Sequence, residues 1–210
     1  MKLKDLGNIP FTVSLLDSVF PDNSAIAAKA KRLEESGDVI RLKRGLYVVN
    51  PVITEKPINE FLIANHLYGP SYVSMQSALR YYGLIPERVY EITSITTGLH
   101  KEFKNKIAFF SYIHCPKEYF SIGIEMIKDG GHQFIMASPE KALCDLMVYT
   151  PNLNLRYQSE IHSYLEDDLR FDLDAFKNYN LDILSECKEK GKKKHMISQL
   201  IKFIENGKYL

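Results

Sequence analysis

The chain has 210 residues, of which 45% are apolar and 25% are charged. A net charge of +1 at pH 7 excludes an overall electrostatic field that would dictate a nucleic-acid or membrane partner, so such binding has to come from local patches. No apolar run approaches the roughly 20 residues that a membrane-spanning helix needs, and the N-terminus lacks the apolar core of a signal peptide. We therefore expect a cytoplasmic protein with no membrane partner.

Two helices are predicted at the start of the chain. Residues 11–20 fit a short helix, which Pro21 ends because proline cannot continue the backbone hydrogen bonds. Residues 25–36 are strong helix formers, and Gly37 suits the left-handed conformation that follows a helix. Short polar side chains can accept hydrogen bonds from the first turn of the second helix, and the candidates for this N-cap are Asp22, Asn23 and Ser24.

The second helix combines an apolar face with basic side chains. Ile26, Ala30 and Leu33 recur at helical spacing and are expected to face the core. The basic side chains that are predicted to lie off that face are Lys29, Lys31 and Arg32. The pattern therefore predicts a basic surface on this helix.

A hairpin with a cationic tip follows directly. In the stretch GDVIRLKRGLYVV (residues 37–49), two short strands flank Gly45, which can adopt the positive φ of a tight turn. Arg41, Lys43 and Arg44 are predicted to lie on or beside this turn and to face water. Helix, turn, helix and basic hairpin in this order is the plan of a winged helix, whose second helix enters the major groove and whose hairpin contacts phosphates.

On the pattern alone, two interpretations of this N-terminal unit remain open. Basic residues on a surface helix are usually a solvated face, and small helix–hairpin units also occur in domains that bind no nucleic acid. The local positive charge is reduced by five acidic residues, which are Asp17, Asp22, Glu34, Glu35 and Asp38. The unit is therefore either a DNA-binding surface or a solvated one.

A change of composition at residues 50–57 suggests a domain boundary. Prolines bracket this polar stretch and cannot continue the hairpin, which is typical of a linker. Beyond it, helices are predicted over residues 59–68, 75–82 and 141–149, strands over 92–97, 107–113, 123–127 and 134–136, and mainly helical structure after 155. The predicted fold is α+β, with a winged helix over residues 1–52 and a larger mixed α/β C-terminal domain over 57–210.

The cysteines and histidines indicate neither a metal site nor catalysis. Cys115, Cys144 and Cys187 are odd in number and far apart, which does not fit a disulfide framework. The six histidines lack the spacing of metal ligands. We therefore expect no metal, no cofactor and no catalytic residue.

Three polar residues of the second domain are predicted to have structural roles. Ser74 precedes a predicted helix and is expected to cap it. Lys141 and Asp145 are four residues apart, so they are expected to pair on the surface of their helix. Neither motif therefore indicates an active site.

Four sequence blocks carry a family resemblance. They are GDVIRLKRGLYVV (residues 37–49), SYVSMQSALRYYGLIPE (71–87), ITSITTG (92–98) and ASPEKALCDLM (137–147). In this order and spacing, they make the chain similar to the AbiEi-type antitoxins of bacterial type IV toxin–antitoxin systems and to related winged-helix transcriptional regulators. The resemblance covers roughly residues 22–149.

The resemblance implies a DNA-binding antitoxin that is not an enzyme. Such antitoxins bind an operator and repress their own operon, and the C-terminal domain neutralises a nucleotidyltransferase-like toxin without needing a stable complex with it. We expect the operator to be an inverted repeat of double-stranded DNA that binds two copies, because a single winged helix buries little surface on DNA. The DNA-binding residues that the resemblance implies are Lys29, Lys31, Arg32, Arg41, Lys43 and Arg44, and Ser24, near the start of the second helix, is a further candidate for reading bases.

Outside the N-terminal unit, further basic residues form a candidate second patch for flanking phosphates or a partner. They are Arg80, Arg88, Lys101, Lys104, Lys106, Lys192, Lys193 and Lys194. The alternative function is a nucleic-acid-directed enzyme, a nuclease or nucleotide-modifying protein that uses the winged helix only for targeting. Metal-dependent phosphate chemistry would need clustered acidic ligands, and the nearest acidic residues, within 166–174, have the pattern of a solvated surface.

Overall fold

The structure is a computed structural model that describes residues 2–19, 25–87 and 90–207. In chain order, the strands and helices are β1 (Phe11–Thr12), α1 (Leu15–Val19), α2 (Ile26–Glu35), β2 (Val39–Lys43), β3 (Leu46–Val49), α3 (Pro51–Thr54), α4 (Glu60–Leu67), β4 (Ser71–Val73), α5 (Met75–Tyr81), β5 (Glu91–Thr96), β6 (Lys101–Lys104), β7 (Phe109–His114), α6 (Lys117–Phe120), β8 (Ile124–Asp129), β9 (His132–Ala137), α7 (Pro139–Tyr149), α8 (Gln158–Ser163), α9 (Leu181–Lys190) and α10 (Lys194–Asn206). Short 3₁₀ helices at Leu3–Leu6 and Leu173–Asn178 and a π-helical turn at Tyr164–Asp168 complete them.

The strands form two sheets. The small sheet has the order β1-β3-β2 and is antiparallel throughout. The large sheet has the order β6-β7-β5-β4-β9-β8, with parallel pairs β5–β7 and β4–β9 and antiparallel pairs elsewhere. The architecture is mixed α and β, which agrees with the predicted α+β class.

The prediction of a helix over residues 11–20 is wrong for its first residues. Phe11 and Thr12 form strand β1 and pair with Tyr47 and Leu46 of β3, and the helix begins only at Leu15. Phe11 is buried beside Tyr47, with the two ring centroids 6.4 Å apart. Burial of this aromatic side chain in the sheet therefore outweighs the helical spacing of the local sequence.

Most other predicted elements are confirmed, with their start and stop signals. Gly37 follows α2 with φ +79°, and Gly130 and Gly131 connect β8 and β9 with φ +56° and +81°. The side chain of Asn59 caps α4, and that of Ser138 caps α7 ahead of a proline. These side chains and glycines therefore begin and end the elements that they flank.

The hairpin β2–β3 is shared between two hydrophobic cores. Because side chains alternate along a strand, Tyr47 and Val49 enter the small N-terminal core, whereas Leu46 and Val48 enter the core of the larger part. Leu42 of β2 also enters the larger core. The packing of the hairpin therefore continues across the linker predicted at residues 50–57, where α3 forms a helical turn.

The end of the large sheet beside the hairpin is strand β6, which the sequence analysis missed. Its pattern KEFK places a single aromatic, Phe103, among charged residues, so it has little of the apolar alternation of a strand. Charged side chains are common on edge strands, where they discourage pairing with another chain. β6 brings Lys101 and Lys104 to this edge.

Candidate functional site

The geometry of the hairpin decides where its basic side chains lie. Arg41 pairs with Tyr47, but Lys43 pairs with Leu46, so the register shifts by one residue at a β-bulge containing Leu42. A bulge places two residues opposite one, which breaks the strict alternation of faces. Arg41 stays exposed, whereas Lys43 turns towards the same side as Leu42 and Leu46.

The side chain of Lys43 therefore contacts α4 and β6 of the larger part of the molecule. Its Nζ donates to the carbonyl oxygen of Leu67 at 2.5 Å and lies 5.8 Å from the centroid of the Phe103 ring. Burial, and then the nearby charge of Lys101, lower the pKa of Lys43. The prediction that Lys43 faces water therefore holds only in part, because the side chain is half-buried and its ammonium donates to Leu67.

An open groove, here called the basic groove, lies between the hairpin and the β6–β7 turn. Its lining consists of Glu34, Arg41, Leu42, Lys43, Arg44, Lys104, Asn105 and Lys106. Five of these side chains are basic and one is acidic, so the groove has a strongly positive lining in a chain with a net charge of only +1. Such a local concentration of charge favours an anionic ligand.

Four cations of the basic groove have no competing partner within the described part of the chain. Arg41, Arg44, Lys104 and Lys106 are exposed. Across residues 2–19, 25–87 and 90–207, the side chains of these four make no hydrogen bond and no ion pair. Their charges are therefore available to a ligand without breaking an internal contact.

A second open groove, here called the helix groove, lies on the other side of the hairpin tip, against α2. Arg41 and Arg44 line it together with Ala27, Lys31, Glu34, Glu35, Gly45 and Tyr47. Lys31 forms an exposed ion pair with Glu35 at 3.7 Å, an interaction that contributes little in water. Arg41, Arg44 and Glu34 therefore line both grooves.

The predicted DNA-binding residues of helix α2 fall into three groups. Lys31 and Arg32 are exposed, as predicted. Lys29 is only 1% exposed, which corrects its prediction as a DNA contact. Lys29 lies three residues after Ile26 and four before Leu33, so it belongs to the helical face that packs inward. Ser24 lies outside the described residues, as do the N-cap candidates Asp22 and Asn23.

The candidate second patch does not form one surface around the groove. Lys104 and Lys106 line the basic groove, and the ammonium of Lys101 lies 5.6 Å from the ring centroids of both Tyr68 and Phe103. The other members are placed elsewhere or lie outside the described residues, and they are Arg80, Arg88, Lys192, Lys193 and Lys194.

Among those other members, two make internal hydrogen bonds. Arg80 donates to the carbonyl oxygen of Ile85, and Lys193 donates to those of Met147 and Thr150 at 3.0 and 2.8 Å. Burial lowers the pKa of Lys193, which agrees with this structural role. Lys192, between α9 and α10, and Lys194, the first residue of α10, are exposed, and Arg88 lies outside the described residues.

The predicted pair of Lys141 and Asp145 is present, but it is buried in the core and not on a helix surface. Both side chains are 0% exposed, and the Lys141 Nζ is 3.1 Å from Oδ1 of Asp145. The other carboxylate oxygen accepts hydrogen bonds from the Tyr72 hydroxyl at 3.1 Å and the Ser74 hydroxyl at 2.6 Å. Ser74 is therefore committed to Asp145 and makes no side-chain cap for α5.

The Lys141 ammonium is surrounded by neutral partners as well as the carboxylate. It donates to the carbonyl oxygen of Tyr119 at 3.1 Å and lies against the Tyr119 ring. Burial, and then the Asp145 charge, raise the pKa of the Tyr119 hydroxyl and that of the Cys115 thiol, the latter to about 12. These groups stay protonated at neutral pH, so the cluster has the properties of a polar core.

Within the described ranges, no group of three or more His, Cys, Asp or Glu side chains could hold a metal ion. In the same part of the chain, no helix is both long and apolar enough to cross a membrane. Comparison with protein-family models gives no match, and comparison with curated proteins gives no significant match either.

Proposed function

We propose that this protein binds operator DNA and represses its own operon, as the antitoxin of a type IV toxin–antitoxin system. The observation that carries the proposal is the set of four exposed cations, Arg41, Arg44, Lys104 and Lys106, around one groove beside the hairpin tip. Phosphate groups of duplex DNA are regularly spaced anions, and contacts to them position a protein on the helix.

The connectivity of the N-terminal unit supports the winged-helix part of the proposal. Helices α1 and α2 precede the hairpin, and β1 adds a third strand beside β3. In a winged helix, this arrangement presents the second helix to the major groove and the hairpin to the phosphates. The base-reading side chains would then come from the exposed face of α2, where Lys31 and Arg32 lie.

The test uses the full chain and two matched charge variants. We expect a duplex from upstream of the gene to bind more tightly than a shuffled duplex, with protection of two half-sites about one helical turn apart. Arg41→Ala/Arg44→Ala should weaken binding to both duplexes, whereas Lys128→Ala/Lys202→Ala removes the same charge at exposed lysines outside both grooves and should not. Equal loss in both variants, or no binding by the wild type, would contradict the proposal.

We assign neutralisation of the toxin to the larger C-terminal part, residues 57–210, because the resemblance to AbiEi-type antitoxins implies this division. A nucleotidyltransferase-like toxin encoded next to the gene is the expected functional partner. Arg41→Ala/Arg44→Ala should still protect cells that express this toxin while it fails to repress a promoter reporter. A folded variant that lost protection together with repression would place both activities on the same surface.

A further inference from the structure

The three basic side chains of the hairpin tip are not equivalent. Arg41 and Arg44 are exposed and make no hydrogen bond or ion pair within the described ranges, whereas Lys43, which lies between them in sequence, is half-buried and bonded. Its Nζ donates to the carbonyl oxygen of Leu67, the last residue of α4. The last carbonyl groups of a helix have no partner within the helix, and a cation is favourable at this negative end of the helix dipole. Lys43 therefore caps the C-terminus of α4.

The surroundings of the Lys43 ammonium disfavour its charge. The ammonium lies 5.8 Å from the centroid of the Phe103 ring, and the ammonium of Lys101 lies 5.6 Å from the same centroid. Burial, and then the charge of Lys101, lower the pKa of Lys43. The hydrogen bond to Leu67 and the face of the Phe103 ring are the contacts that offset this cost. Lys43 is therefore held against α4 and β6.

Two further links fix the hairpin tip on the larger part. The Asn105 amide nitrogen donates to the carbonyl oxygen of Leu42 at 3.3 Å. The side chains of Leu42 and Leu46 enter the core of the larger part. Together with Lys43, these linked residues alternate with the two exposed arginines along residues 41–46, so the backbone that carries both guanidinium groups is fixed before a ligand arrives. Such preorganisation lowers the conformational entropy that is lost on binding.

We propose that Lys43 is a positioning residue for DNA binding, which caps α4 and thereby holds the hairpin tip in the orientation in which Arg41 and Arg44 reach phosphates. This inference rests on the proposed function. It changes the role of Lys43, which the resemblance implies as a direct contact to DNA. Its ammonium joins the hairpin to the larger part and does not neutralise a phosphate.

A double-mutant cycle with the full chain and duplex DNA tests this role. Lys43→Met keeps an unbranched side chain but removes the hydrogen bond to Leu67, and we expect about tenfold weaker binding, within the range measured for coupled residues. In the background Arg41→Ala/Arg44→Ala, the same substitution should change the affinity by less than about twofold, because the arginines through which it acts are absent. Lys43→Arg, which can donate to the same carbonyl oxygen, should restore wild-type binding.

Lys128→Met is the matched control for the loss of one positive charge. Lys128 is an exposed lysine of β8 that lines neither groove, so duplex binding should stay within about twofold of the wild type. Urea denaturation of each variant checks that the fold is retained, and Lys43→Gln takes the place of Lys43→Met if the latter does not fold. A loss in Lys128→Met equal to that in Lys43→Met would show that only net charge matters, which would overturn the positioning role.

The remaining outcomes separate the inference from the proposed function. If Lys43→Met weakens binding by the same factor in both backgrounds and lowers the slope of log K against log salt by about 0.9 in each, Lys43 contacts a phosphate itself. The inference is then wrong, and the proposed function stands. Unchanged binding by Lys43→Met would likewise overturn only the inference. If the wild type shows no salt-dependent binding to duplex DNA, both proposals are overturned.

Discussion

Lysine occupies two opposite environments in this fold, and comparing them shows where its charge acts. Lys104 and Lys106 are exposed at the basic groove and make no hydrogen bond or ion pair within the described ranges. Lys141 is fully buried and has a carboxylate, a carbonyl oxygen and an aromatic ring around its ammonium. Water hydrates the exposed ammonium groups of Lys104 and Lys106, whereas the buried ammonium of Lys141 depends on each of its protein partners.

The comparison distinguishes a charge that is available to a ligand from one that is committed to the fold. Asp145 compensates Lys141 inside the core, so this pair cannot contribute to a surface potential that attracts DNA. The cations of the basic groove have only Glu34 as an acidic neighbour in the lining. Substitutions should therefore change stability in the first region and binding in the second.

The largest effect is expected when the buried pair is broken. Asp145→Ala leaves the Lys141 ammonium in the core without its carboxylate and removes the acceptor used by Tyr72 and Ser74. We expect a loss of about 3–5 kcal/mol in the free energy of unfolding, measured by urea denaturation. As a control, Lys177→Ala breaks the exposed Lys177–Asp174 pair and should leave the unfolding midpoint unchanged. Equal stability of the two variants would show that Lys141 and Asp145 are hydrated after all.

A somewhat smaller effect is expected from the hairpin residues that enter the larger core. Leu46→Ala should cost about 2–5 kcal/mol and lower the stability of the whole chain in a single transition by circular dichroism. Leu99→Ala, at a leucine that is 81% exposed, is the matched control and should have little effect. Two separate transitions, with only the earlier one shifted, would show that the N-terminal unit and the larger part unfold independently.

The sequence predicted the elements whose local signals agree with their tertiary environment. The hairpin, α2 and the helix α7 are of this kind. Lys29 and Lys43 differ: the inward face of α2 buries Lys29, and the β-bulge precedes a half-buried Lys43 that bonds to Leu67.

Two further differences between the sequence prediction and the structure, the burial of the Lys141–Asp145 pair and the presence of β6, depend on long-range contacts. The spacing of Lys141 and Asp145 predicted their pairing, but burial comes from Tyr72, Ser74 and Tyr119, which are distant in sequence. Similarly, β6 has too few apolar residues to be recognised as a strand. Its place beside the hairpin depends on long-range contacts, such as those of Asn105 with Leu42 and of Phe103 with Lys43. The basic groove could therefore not be assembled from the sequence, although each of its basic residues was identified there.

The most direct test of the central claim is the salt dependence with which the wild-type chain binds a duplex of random sequence. Four phosphate contacts, from Arg41, Arg44, Lys104 and Lys106, predict a slope of log K against log salt of about −3.6, or about 150-fold weaker binding when salt is raised from about 50 to about 200 mM. The variant with all four replaced by alanine should lose most of this slope. Binding that is insensitive to salt, or a slope unchanged by the four substitutions, would contradict the account.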